Sequence, residues 1–117
     1  MRLIAVAVLA LSAAAVGCTT IDTSGKLKAA QSAIDAAKAA GAENVPSANT
    51  LLGQAQGYLS TAQSQISKGN PQDALRNLGL AQAAANDAKL TATEANSRAK
   101  VESLNQQIAD LKAKLGK

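Results

Sequence analysis

The chain has no tryptophan, phenylalanine or histidine, one tyrosine (Tyr58), one cysteine (Cys18) and two prolines. Each shortage excludes something. Without histidine and with a single thiol, neither a His/Cys metal centre nor a Cys–His nucleophile–base pair can be assembled. A lone cysteine forms no disulfide within one chain, so stability must come from packing. The chain is basic, with 12 Lys and Arg against 8 Asp and Glu. The lysines are scattered, however, and no aromatics are interleaved with them to stack on bases, which argues against nucleic-acid binding. The eight carboxylates, Asp22, Asp35, Glu43, Asp73, Asp87, Glu94, Glu102 and Asp110, are dispersed along the chain. No glycine-rich phosphate loop is present. These absences predict a non-catalytic protein with no cofactor and no metal site.

What is present in quantity is alanine, with leucine, glutamine and lysine, all good helix formers. Beyond Cys18 the bulky apolar side chains are few, among them Leu27, Ile34, Leu51, Leu52, Leu59, Ile66, Leu78 and Leu80. Alanine buries far less apolar surface than leucine, so close approach of helix backbones must replace bulk. The expected fold class is all-α.

The N-terminus carries one charge, Arg2, then an apolar run from Leu3 to Leu11, then small residues ending in Ala15-Val16-Gly17-Cys18. A positive start, a short apolar stretch and a small-residue exit make a secretory signal peptide, too short to span a bilayer as a stable helix. The cysteine placed directly after Ala15-Val16-Gly17 resembles the lipobox of bacterial lipoproteins. That resemblance implies cleavage before Cys18, lipidation of its thiol and acylation of the new N-terminus. Thr19 stands after the cysteine rather than the Asp that resembles an inner-membrane retention signal. The implied location is therefore the periplasmic face of the outer membrane, the alternative being the outer face of the cytoplasmic membrane.

Residues 18–25 read as a lipidated tether, in which Asp22, Thr23 and Ser24 suit a helix N-cap. The first helix is predicted over about 24–40, with Leu27, Ala30, Ile34 and Ala37 on one stripe and Gly41 ending it. Pro46 disfavours helix at Val45, and Ser47 is expected to cap a second helix over about 47–68. Gly53 and Gly57 inside that helix imply either loose structure or close backbone contact. Lys68-Gly69-Asn70-Pro71-Gln72-Asp73 reads as a tight helix–helix turn, with Asn70 capping a third helix over 71–115. Along that helix Ala74, Leu78, Ala81, Ala85, Ala88, Ala92, Ala95 and Ala99 alternate four and three apart.

Folding about residue 70 sets Ile66 opposite Ala74, Ala62 opposite Leu78, Leu59 opposite Ala81, Ala55 opposite Ala85 and Leu52 opposite Ala88. Helix one folds back on helix two in the same way, with Leu27 meeting Ala62 and Ile34 meeting Ala55. Large faces small in most layers, as interdigitating packing requires. The expectation is an antiparallel three-helix bundle over 26–99 whose third helix projects as a tail, 100–117. Tyr58 is expected at a bundle edge.

In the tail the seam changes phase and content to Val101, Leu104, Ile108, Leu111 and Leu115, a stripe that a lone helix cannot bury. β-Branched residues at one heptad position and leucine at the other favour a parallel dimer. This is the candidate partner-binding seam, toward a second copy or an envelope protein.

Two further resemblances follow. The segments Ala-Ala-Lys-Ala-Ala-Gly-Ala, Ala-Gln-Gly-Tyr-Leu-Ser-Thr-Ala and Ser-Lys-Gly-Asn-Pro-Gln-Asp-Ala-Leu, within Leu27–Ala95, look like those of a family of bacterial lipoproteins with an alanine-rich helical domain of unknown function. The tail Ala99-Lys100-Val101-Glu102-Ser103-Leu104-Asn105 is similar to the heptads of the murein lipoprotein. That family ends in a lysine joined to peptidoglycan, which makes Lys117 a candidate attachment point, although Leu115-Gly116 replaces the usual tyrosine–arginine. The function implied is a lipid-anchored structural or adaptor protein of the cell envelope. The alternative is a periplasmic binding module that holds a peptide or glycan in an inter-helix groove, for which an apolar cleft beside Tyr58 would be the sign.

Overall fold

The structure, a computed structural model, describes residues 22–116. Three helices run along it: α1 (Thr23–Ala39), α2 (Pro46–Ser67) and α3 (Pro71–Leu115), with a 3-10 turn at Ala42–Asn44 between the first two. The fold is all-helical and elongated, with no strand among the described residues. The expected helices are present to within a residue at each end. The last residues of the predicted tether are already helical, because α1 begins at Thr23.

Local chemistry accounts for the ends. The Asp22 carboxylate accepts from the Ser24 backbone N–H at 3.1 Å, the Gly25 N–H at 3.4 Å and the Ser24 hydroxyl at 2.7 Å. Two of the otherwise unpartnered first-turn donors of α1 are thereby satisfied. Two corrections concern the other caps. Ser47 does not cap α2: Pro46 takes the first helical position and Val45 precedes it in extended conformation (φ −111°, ψ 112°). A proline needs no partner for a missing N–H there, and it holds the preceding residue out of the helix. Asn70 stands at the N-cap of α3, but its side chain makes no capping hydrogen bond.

Its backbone is used instead. Gly69 adopts φ 77°, its N–H donates to the Ile66 carbonyl at 3.1 Å, and the Asn70 N–H donates to the Gln65 carbonyl at 2.8 Å. That pair of bonds is the Schellman ending of α2, which needs a left-handed residue and hence glycine. Gly41, at φ 85° with its N–H on the Lys38 carbonyl at 2.9 Å, ends α1 in a related way.

Packing follows the small-residue stripes. On α3 the buried positions are Ala74, Leu78, Ala81, Ala84, Ala85, Ala88 and Ala92; Ala95 is half-buried and Ala99 exposed. Near the Gly69 turn, Ala30, Ala62, Ala74, Leu78 and Ala81 form one cluster, flanked by half-buried Leu27, Leu59 and Ile66. Further along, Ile34, Ala37, Leu52, Ala55, Ala85 and Ala88 lie in a second cluster with Ala42, Ala48, Ala84 and Ala92. Each expected α2–α3 layer falls within a single cluster.

α1 departs from expectation. It lies mainly against α3 and touches α2 much less, so α3 is the shared element. The core is thin. Leu52 and Leu78 are the largest wholly buried side chains, and no polar or charged side chain is buried among the described residues. For Gly53 and Gly57 one of the two alternatives is removed: a Cβ at either would meet nothing within 4 Å, so no close backbone approach requires them.

The direction of the chain follows. α1 starts beside the Gly69 turn, where Leu27 packs, and ends at Ala40, whose carbonyl accepts from the Asn96 side chain at 2.9 Å. With 45 residues, α3 is about 67 Å long at 1.5 Å per residue. It continues unbroken past Asn96, and every residue from 96 to 116 is exposed. The chain therefore enters at one end of the packed region and leaves as a bare helix at the other.

Candidate functional site

The bare segment of α3 carries the chemistry available for recognition. Val101, Leu104, Ile108, Leu111 and Leu115 are exposed, whereas soluble helices usually present polar residues to water. Their direction is set by the buried stripe on the same helix. At about 100° per residue, the tail stripe stands about 140° or more around α3 from the Ala74–Ala92 stripe. The apolar face of the tail thus points away from the side on which α1 and α2 lie.

Two more side chains belong to it. Leu90, 66% exposed, is 18 residues before Ile108, about five turns, and so projects in the same direction. Leu80, 43% exposed, stands at the edge of that face. The sequence shows both as bulky apolar residues, but the alanine seam that dominates this stretch does not place them on the tail stripe. Counting heptads backward from Val101 and Leu104 would have found them.

The surroundings carry charges of both signs, with Arg98, Lys100, Lys112 and Lys114 against Glu94, Glu102 and Asp110. Arg98 Nη2 pairs with Glu94 Oε1 at 2.6 Å, one turn apart and well exposed, so the pair adds little stability. Two open clefts flank this stretch. One of about 370 Å³ lies between α3 and the start of α2, lined by Val45, Ser47, Glu94, Ala95, Arg98 and Glu102 among others. The other, of about 360 Å³, follows α3 itself from Glu94 to Asn105. Neither is beside Tyr58, which is half-buried and packs against both core clusters.

The Ser24 hydroxyl, then the Gly25 and Ser24 N–H groups, hold the Asp22 carboxyl below its ordinary value. Among the described residues, no three of His, Cys, Asp and Glu come together to hold a metal, and no helix is long and apolar enough to cross a membrane. Cys18 and Lys117, the lipidation and attachment candidates, lie outside the described residues. No protein-family description, curated protein or solved structure matches this chain.

Proposed function

We propose that the chain is a lipid-anchored, non-catalytic structural or adaptor protein of the bacterial cell envelope. Lipid on Cys18 holds it to the periplasmic face of the outer membrane. Residues 23–95 form an antiparallel three-helix bundle, and the rest of α3 carries its apolar stripe away from the anchor toward a partner, the cell wall or both. The observation that carries this reading is the course of α3: one helix is packed over its first half and bare over its second, beginning where the chain enters and ending far from it. A rod with an anchor at one end and an unburied seam at the other suits bridging better than binding a small ligand. The absence of buried polar side chains among the described residues points the same way, since a specific ligand pocket converges such groups.

Envelope fractionation tests it, using cells that make the natural chain, Cys18→Ser, or a chain ending at residue 96. The natural chain takes up labelled fatty acid and sediments with membranes. Cys18→Ser loses the label, and the shortened chain keeps label and membrane but loses its envelope crosslinks. Label retained by Cys18→Ser would refute the anchor.

A further inference from the structure

The exposed large apolar side chains of the described residues share a single heptad register. Leu80, Val101, Ile108 and Leu115 occupy its a positions, and Leu90, Leu104 and Leu111 its d positions, with exposures from 43% at Leu80 to 85% at Leu115. A repeat of 3.5 on a helix of 3.6 residues per turn drifts slowly and is followed by a left-handed supercoil between helices. None of these side chains belongs to the buried stripe that α1 and α2 cover, and only at Glu94 does the face border the cleft beside the start of α2.

We infer that this face receives the same face of a second copy, forming a parallel, in-register dimer zipped over residues 97–115. This gives the exposed seam of the proposed function its partner without depending on the lipid anchor. The a positions Val101 and Ile108 are β-branched and the d positions Leu104 and Leu111 are leucine, the combination that favours two parallel strands. The flanking charges select the same arrangement. In parallel register Lys100 faces Asn105 and Gln107 faces Lys112, neutral partners in both cases. The antiparallel register that sets Val101 against Leu111 and Leu104 against Ile108 instead places Lys100 beside Lys114 and Arg98 beside Lys112, each twice. Sliding that register one heptad toward the packed region sets Glu94 against Leu111, a carboxylate on an apolar layer. Glu94 and Asp87 at the preceding a positions repel their own copies, so the zipper stops near Ser97 and the packed regions splay.

The test uses the full chain carrying Cys18→Ser, so that an introduced cysteine is the single thiol. Ser97→Cys and Leu115→Cys are oxidised separately and mixed, with Lys28→Cys on α1 as a surface control. Each tail variant forms a self-linked dimer well above the control. Leu104→Asp with Ile108→Asp lowers that dimer at least tenfold while circular dichroism keeps the melting of the packed region. Glu94→Leu moves the monomer–dimer midpoint in sedimentation to at least tenfold lower concentration. Linkage confined to the mixed sample would mean an antiparallel pair and overturn the proposal. So would self-linking at the control level, insensitivity to the two aspartates, or three copies in sedimentation. The Cys18→Ser background cannot be lipidated, so failure here leaves the anchor standing, and failure of the acyl label leaves this dimer standing.

Discussion

Asn96 on α3 donates its side-chain amide to the Ala40 carbonyl at the end of α1, across 2.9 Å, and this is the last hydrogen bond from α3 to another helix among the described residues. It marks the border between packed and bare helix. It also satisfies one of the carbonyls that the end of α1 leaves unpartnered. Asn96→Ala is expected to cost about 0.5–1.5 kcal/mol, the usual net worth of such a bond. Urea unfolding checks the cost, and faster amide exchange around Gly41–Asn44 locates it.

The glycines inside helices offer an opposite test. A Cβ at Gly53, Gly57 or Gly79 meets nothing within 4 Å, and none of the three needs positive φ. Each substitution by alanine is expected to raise stability by about 0.5–1 kcal/mol. Gly69→Ala, at φ 77°, is expected to lower it by about 1–2 kcal/mol. Thermal unfolding of the four variants separates helix propensity from turn geometry.

Two leucines on one helix should behave differently. Leu78 is 1% exposed within the cluster near the turn, and Leu78→Ala should cost about 2–5 kcal/mol. Leu104→Ala removes no contact within the chain and should change unfolding of the monomer by less than about 0.5 kcal/mol. Denaturation at a dilution that keeps the chain monomeric is the measurement.

The Asp22 cap gives a pH dependence with a definite sign. Its carboxyl is held below 3.8 by the Ser24 hydroxyl and by the Gly25 and Ser24 N–H groups. Because the folded value is the lower one, the contribution to the start of α1 is present above about pH 3.8 and disappears as pH falls through the folded value. Ser24 and Gly25 amides should exchange faster below that range, and Asp22→Ala should show the fast exchange at every pH.

How far the sequence carried is clearest in α3. Pro71 and Gly116 bracket it, and the four-and-three spacing of Ala74, Leu78, Ala81, Ala85, Ala88 and Ala92 foretold the buried stripe because a helix with one covered side has few ways to place small residues. The α2–α3 turn was legible because Gly69 takes a positive φ that other residues resist, while the fixed φ and missing N–H of Pro71 suit the first position of a helix. The neighbour of α1 was not. Alanine stripes on all three helices are nearly interchangeable in size, so spacing alone does not say that α1 lies mainly on α3. The 3-10 turn that buries Ala42 was not legible either, since three residues carry no periodicity. In the candidate site the five tail residues stood out by size. Leu80 and Leu90 did not, being single leucines on a stretch dominated by the alanine seam on its other side.

The central claim is that Cys18 anchors one end of the rod whose far end bears the exposed seam. The most direct measurement is the mass of the N-terminal peptide of the mature protein isolated from envelopes. The expected result is a chain beginning at Cys18 with a diacylated glycerol on the thiol and an acyl group on its amine. A chain beginning elsewhere, or an unmodified Cys18, would contradict it.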